Sequence, residues 1–342
     1  MSDAPLKIGN KTINSRIMLA PMAGVTDVVF RKLVRDWAPQ SLICTEMISS
    51  NGIVYSKRYN APILDKTTSD HPIAYQLAAH KESVLIEAAR SILMNKAPDT
   101  IDLNMGCPVK KITGNFEGCA LMKDLSHASH LISALVTMIE KEGLDTPVTV
   151  KFRLGWDENS QNYTEFGKMC EDAGAKMVTL HARTRAQGYK PGCKWEAFGH
   201  LKQAVGIPVI ANGDIASIDD ILSIMATYGV DGVMIGRGTL GKPWLIGQLD
   251  EALKTGRGEI TALSIQEQLD TAYLHARLLS EYRGETGAIR EMRRHLSDYI
   301  KGIRSATQFR QRLSGVEHLT DVRQILDEVL HTATASEFDI AV

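Results

Sequence analysis

The chain has 342 residues, 44 % hydrophobic and 23 % charged, with a formal net charge of −1. That balance describes an ordinary soluble globular protein with room for one large domain of about 250 residues and a smaller one. It excludes a globally basic nucleic-acid binder, so any surface for a polyanion has to be local.

Five cysteines, at 44, 107, 119, 170 and 193, show no CxxC and no paired metal spacing. A zinc site or disulfide framework is therefore not expected, no metal is assigned, and a reducing cytoplasm is the natural compartment. The opening MSDAPLKIGNKTINSR has no apolar targeting core, and no run of about 18 apolar residues occurs, so neither export nor a membrane is expected.

In chain order, eight short apolar runs recur: Ile17–Ala20, Leu42–Thr45, Ile73–Leu77, Thr100–Leu103, Val148–Phe152, Met177–His181, Val209–Ala211 and Gly232–Ile235. Each is followed by a segment long enough for a helix. Continuous apolar strands alternating with amphipathic helices predict a parallel sheet buried on both faces. Eight such units in about 230 residues predict an α/β fold, a (β/α)8 TIM barrel, where an open doubly wound sheet has five or six strands. No GxGxxG opens a helix.

Past residue 245 the strand signal stops. Ser264 and Glu267 form a capping box ahead of Ile265, Leu269, Ala272, Ala276 and Leu279. A second amphipathic helix is read over 286–301 and a third after a Thr320 cap. The expected organisation is a barrel domain over 1–245, a linker at Lys254–Glu259 and a C-terminal all-α helical domain over 260–335, with the last ten or so residues frayed.

Working residues of such a barrel sit where strands end at the C-terminal face. Here those exits carry Pro21, Met22, Ala23 and Gly24 after the first strand, Glu46 after the second, Gln76 at the third, and Asn104 and Cys107 after the fourth. Lys151 and Arg153 follow at the fifth, His181 and Arg183 after the sixth, Asn212, Gly213 and Asp214 after the seventh, and Gly236 and Arg237 after the eighth. The glycine-bearing turns of the last two exits suit a phosphate, with Arg237 as an added fork of donors. By themselves they would suit any phosphorylated ligand, a sugar phosphate included. A flavin would further need an apolar wall (Met22-Ala23), a donor/acceptor for its pyrimidine edge (Gln76) and a cation near N1/O2 (Lys151). Cys107, between Gly106 and Pro108, is presented by a turn although most cysteines are small core residues.

The stretch 101–119, IDLNMGCPVKKITGNFEGC, resembles the active-site signature of the tRNA-dihydrouridine synthases at Asn104, Gly106, Cys107, Pro108, Ile112 and Gly118-Cys119. So do Pro21-Met22-Ala23-Gly24-Val25-Thr26-Asp27, Thr45-Glu46-Met47, Lys151-Phe152-Arg153, His181-Ala182-Arg183-Thr184-Arg185, Asn212-Gly213-Asp214 and Gly236-Arg237, in that family's order. The likeness covers roughly 7–305 and is greatest to the bacterial B-type enzyme.

The resemblance implies FMN held by Pro21, Met22, Ala23, Gln76, Lys151, His181, Asn212, Gly213, Asp214, Gly236 and Arg237. It also implies reduction of the C5–C6 bond of a D-loop uridine of tRNA, position 17 for the B type, with NADPH (or NADH) as electron donor. Glu46, Asn104, Lys110, Lys111, Arg153, Arg183 and Arg185 would serve the extruded base and its phosphate.

The reaction needs a proton at C5, and a thiol of ordinary pKa about 8.5 holds one at neutral pH, so Cys107 is assigned as general acid. Between Arg283 and Arg312 basic residues outnumber acidic ones. Arg290, Arg293, Arg294 and Lys301 lie in that segment. Three of them (Arg290, Arg294 and Lys301) are read on the helix face opposite Ile289, Met292 and Leu296, as a stripe for tRNA phosphates. The competing reading is an FMN oxidoreductase acting on a free pyrimidine, which would need no such stripe. No obligatory protein partner is evident.

Overall fold

The computed structural model describes residues 4–56, 62–256 and 258–338. Eight strands, Ile17–Leu19, Ile43–Ser49, Ile73–Ala78, Thr100–Met105, Val148–Arg153, Met177–His181, Val209–Asn212 and Gly232–Ile235, pair in chain order. The last closes on the first, with Val233 opposite Ile17, so the sheet is a closed, all-parallel barrel. Closure leaves no edge strand. The expected barrel is the observed one, and continuous apolar runs mark its strands because both faces are buried.

Register places the polar residues side by side. Gln76 lies opposite Asp102 and Asp102 opposite Thr149. One layer further toward the C-terminal end Asn104 lies opposite Lys151, and at the rim Arg153, His181 and Asn212 stand in one row.

A short antiparallel hairpin, Leu6–Ile8 with Lys11–Ile13, precedes the first barrel strand and was not expected. Its Gly9 has φ 57, the left-handed conformation that a tight hairpin turn takes from glycine. Leu6, Ile8 and Ile13 join Met18, Leu42, Cys44, Ala74, Met177, Ile210 and Met234 in one core cluster.

Helices follow the strands with local stop and start signals. Asp27 accepts from the amide of Phe30 at the head of Val28–Trp37. Ser217 and Asp220 form a capping box at the head of Ile218–Tyr228, which ends on Gly229 in the left-handed region. Helix Val28–Trp37 is tied to the segment before the third strand by buried charge: Arg31 Nε donates to Asp70 Oδ2 at 2.9 Å, and Arg35 lies 3.8 Å from the other oxygen. Burial brings the Arg35 guanidinium down to about 10.

The described residues fall into two compact units: those up to Gly236 with Ile246–Glu259, and Arg237–Leu245 with those from Ile260 onward. The second is helical, with Ile265–Arg283, Glu285–Tyr299, Ala306–Leu313 and Leu319–Phe338. Its core is the expected apolar stripe, Leu269, Ala276, Leu279, Ile289, Met292, Leu296, Val322, Leu326 and Val329. His275 is buried there against the Tyr299 hydroxyl at 3.0 Å, and burial lowers its pKa to about 3.

Two helix boundaries differ from the expected ones. The second helix stops at Tyr299, because Gly302 has φ 90 and the amide of Lys301 turns back to the Asp298 carbonyl. The last helix begins one residue before Thr320, so Thr320 lies inside it and does not cap it, and Asp321 in the first turn reaches back to accept the amides of Glu317 and His318. A fourth helix, Ala306–Leu313, was not foreseen. Of the expected linker, Arg257 lies outside the described residues, and so do residues 339–342 of the expected frayed end. Among the described residues no helix is long and apolar enough to cross a membrane.

Candidate active site

Inside the barrel a file of hydrogen bonds runs from the fifth strand to the loop that carries Cys107. The Thr149 hydroxyl donates to Asp102 Oδ1 at 2.6 Å, and Gln76 Nε2 donates to Asp102 Oδ2 at 2.7 Å. Asn104 Nδ2 donates to Gln76 Oε1 at 2.7 Å. Asn104 Oδ1 in turn accepts the amides of Gly106 at 3.2 Å and Cys107 at 2.9 Å. Asn104 therefore sits in the fourth strand and shapes the turn beyond it.

The thiol of Cys107 is half-buried. Burial pushes its pKa up, while backbone hydrogen bonding at Val109 and the cations of Arg153 and Lys151 pull it down and Glu117 adds to the rise. The outcome is a thiol that keeps its proton. Cys119 is fully buried and pushed up to about 12 by burial, an inert packing thiol.

On the adjoining strands Lys151 Nζ donates to Asn212 Oδ1 at 2.8 Å, and Asn212 Nδ2 donates to the carbonyl of Met234 at 2.7 Å. Burial, and then the charge of Arg153, lower Lys151 to about 8. Lys151 keeps two N–H groups beyond that bond, and Gln76 keeps one N–H and one lone pair.

Two arginines of the sequence reading are buried. Arg153 and Arg183 were expected to face the substrate, yet they are 2 % and 1 % exposed. Arg153 Nε donates to the Gly106 carbonyl at 2.8 Å, and its Nη1 donates to the carbonyls of Thr184 and Gly188. It thus ties the Cys107 loop to the loop after the sixth strand. Arg183 donates to the Lys190 carbonyl at 2.7 Å, pairs with Asp214 and lies 3.3 Å from His181 Nε2. Both spend donors on backbone carbonyls, because a buried guanidinium must be satisfied in several directions.

Arg185 is half-buried with its guanidinium 4.4 Å from the Trp156 ring centroid. Lys110 and Lys111 are exposed on the one-turn helix Lys110–Thr113 directly after Cys107. Glu46 lies within the second strand at a register shift between Cys44 and Met47, where it accepts the amide of Gly24. Expected after that strand, it is carried into it by the irregularity.

At the first exit the amides of Val25 and Thr26 both turn back to the Met22 carbonyl, leaving Ala23 exposed and Pro21 half-buried. Gly213 has φ 121, and a Cβ there would lie 2.6 Å from Cys193 Sγ and 3.0 Å from His181. Its space is thus taken by those two side chains. Beside it Asp214 has φ 53. Gly236 rests against Ala20 and Met22.

The barrel unit thus gathers Gln76, Asn104, Cys107, Lys151, Arg153, His181, Arg183 and Asn212 at one end. Arg237, Arg290, Arg293, Arg294 and Lys301 belong to the helical unit. There Arg237, Arg290, Arg294 and Lys301 are exposed, Lys301 beyond the helix end, and Arg293 Nε donates to the Val316 carbonyl at 2.8 Å. Asp102 and Thr149 were missed by the sequence reading, although a carboxylate in the otherwise apolar run Ile101–Leu103 was a visible signal.

The dihydrouridine synthase (Dus) family model matches residues 18–335. A probable tRNA-dihydrouridine synthase 1 of Synechocystis is 39 % identical over 96 % of this chain and 90 % of its own length. One of Rickettsia conorii is 39 % identical over 97 % of this chain and 100 % of its own.

Among solved structures, a variant of NCR from Zymomonas mobilis superposes with a TM-score of 0.52 at 17 % identity over 78 % of this chain and 94 % of that one. Histamine dehydrogenase from Rhizobium sp. 4-9 gives 0.57 at 15 % over 75 % and 48 %. Those two likenesses are of the fold. A family match across nearly the whole chain, with relatives at this identity, means that the chain belongs to the dihydrouridine synthase family.

Proposed function

We propose that this protein is an FMN-dependent tRNA-dihydrouridine synthase, which reduces the C5–C6 bond of a D-loop uridine using NADPH. The observation that carries the reading is Cys107: a thiol kept protonated by burial on a loop whose amides are fixed by Asn104. The family match and the names of the relatives support it.

The donor set fits a flavin. Gln76 has one N–H and one lone pair left for a pyrimidine edge, and Lys151 is a half-buried cation with two N–H groups left. Met22 and Ala23 supply an apolar wall, with Pro21 beside them. Asn212, Gly213, Asp214 and Gly236 are assigned to its remaining polar groups and His181 to its edge. When bound, FMN supplies the hydride for C6 of the base.

The protein's own part is to hold the proton and to place the base. Cys107 gives its proton to C5, acting as general acid. Arg153 supports that act by fixing Gly106 and the loop after the sixth strand. Lys110 and Lys111, exposed beside Cys107, and Arg185 on Trp156 are assigned to phosphates near an extruded nucleotide. Glu46, Asn104 and Arg183 are assigned to the base pocket, the last by holding Asp214 and the Lys190 loop. In the helical unit Arg290, Arg294 and Lys301, with Arg293 bracing Val316, are assigned to the tRNA backbone. The likeness to the bacterial B type points to position 17, and the protein is taken to work in the cytoplasm without an obligatory protein partner.

Mass mapping of dihydrouridine in tRNA from a strain lacking this protein tests the reading. Loss at one D-loop position, restored by the purified protein with NADPH and tRNA, is expected. An unchanged map, together with reduction of free uracil by the purified protein, would favour the small-molecule oxidoreductase instead.

A further inference from the structure

The file of bonds that ends at Cys107 has a polarity, and one group sets it. Asp102 accepts at both of its oxygens and in that state has no hydrogen to give, so each partner must donate to it. Burial raises its pKa, while the bonds donated by Thr149 and Gln76 and the charge of Lys151 lower it. Thr149 does so with its hydroxyl and Gln76 with Nε2. That obliges Gln76 to turn Oε1 the other way, toward Asn104. Asn104 must then present Nδ2 to Gln76 and Oδ1 to the amides of Gly106 and Cys107. Primary amides are nearly symmetric in shape, so shape alone does not choose between the two orientations of Gln76 and Asn104. Asp102 is 2 % exposed, and Gln76 is fully buried, so water cannot substitute for the missing partner.

We propose that Asp102 is a positioning residue for the catalytic thiol: it fixes the amide orientations of Gln76 and Asn104 in turn, and so fixes the loop that presents Cys107. The inference rests on the assignment of Cys107 as the proton donor for its functional meaning, but its test does not. Reversed polarity at position 102 would propagate. An amide there is no longer held to one orientation, since the Thr149 hydroxyl can accept as well as donate. Whenever it donates to Gln76 Oε1, Gln76 presents Nε2 to Asn104, and Asn104 turns its own Nδ2 toward two backbone amides. Donor would face donor at Gly106 and Cys107.

The test is hydrogen exchange of the amides of Gly106 and Cys107 in the full-length protein, flavin removed, with helix Ile218–Tyr228 as an internal reference. Asp102→Asn should speed exchange at Gly106 and Cys107 by about tenfold, the scale of one lost buried hydrogen bond, and leave the reference helix unchanged. Combining it with Gln76→Glu moves the acceptor-only group one place along the file, so that position 76 accepts from both neighbours. That pair should return exchange to within about threefold of the wild type.

Wild-type exchange in Asp102→Asn, or a double variant as fast as the single one, would overturn the proposal. If Asp102→Asn alone does not fold, the double variant still decides, because the proposal requires it to fold with the loop restored. A double variant that also fails to fold counts against it. Because the readout needs no flavin, failure of the protein to bind FMN would leave this result standing, and the reverse also holds.

Discussion

The amide of Cys119 donates to the carbonyl of Cys107 at 3.1 Å, and a Cβ on the intervening-loop residue Gly118 would lie 3.0 Å from the Cβ of Cys107. The loop folds back on itself so tightly that only glycine, here at φ 61, lets the chain pass the thiol. The reactive group is thereby held from two sides: by Asn104 at its amide and by Cys119 at its carbonyl.

The proposed acid role of Cys107 has a definite pH signature. The thiol form is the useful one, it is complete below the thiol's own pKa, and burial moves that pKa upward. Dihydrouridine formation should therefore persist past pH about 8.5, the ordinary cysteine value, and fall as pH rises through the raised one. Alkylation of Cys107 by iodoacetamide in the flavin-free protein should rise only over that same higher range. Cys107→Ala should retain bound flavin and its reduction while losing about 10²–10⁴-fold in product formation. Alkylation that is already rapid at neutral pH would remove the acid role.

Lys151 should set the electron affinity of the cofactor. A cation near the reduced ring stabilises its negative charge, and Asn212 holds that cation in place. Lys151→Met should lower the flavin midpoint potential by about 30–60 mV, the two-electron equivalent of one to two powers of ten. Spectroelectrochemical titration of the holoprotein measures it, and an unchanged potential would place Lys151 away from the ring.

Asp70 is the counter-charge for two buried guanidinium groups, with side chains 1 % exposed for Arg31 and 3 % for Arg35. Replacing it by Asn keeps the shape and strands both cations. Asp70→Asn should cost about 3–5 kcal/mol of stability, as measured by chemical denaturation. The loss should be independent of bound tRNA.

Charge reversal at Arg290, Arg294 and Lys301 should weaken tRNA binding and leave flavin reduction intact. For every phosphate that is no longer neutralised, the slope of log K against log salt should fall by roughly 0.7–0.9. Fluorescence anisotropy over a salt series reads both quantities. Unchanged affinity and slope would make these residues a solvated surface, with the RNA held around Cys107 by Lys110, Lys111 and Arg185.

The barrel was legible because a strand buried on both faces needs no alternation, so eight apolar runs stand out against their helices. The site was legible as a set of strand ends, but not as a network. Nothing in the order of residues tells that Arg183 points inward to Lys190 and Asp214, or that Asp102 meets Gln76 and Thr149, because these bonds depend on register between strands far apart in sequence. Lys301 was misplaced because helical spacing in the apolar residues continues past Tyr299, while the backbone turn at Gly302 ends the helix. The N-terminal hairpin was hidden by brevity: three residues a strand are too few for a periodic signal.

The seam between the strands Gly232–Ile235 and Ile17–Leu19 is the barrel's last joint to be available during synthesis. Until Ile235 has left the ribosome, both margins of the growing sheet offer bare backbone groups to any neighbouring polypeptide. Joints of such long sequence separation also close slowly, since most of the chain must be gathered first. A ribosome that stops short of that strand would therefore release a chain suited to clumping, whereas one that stops after it has at least supplied every stave.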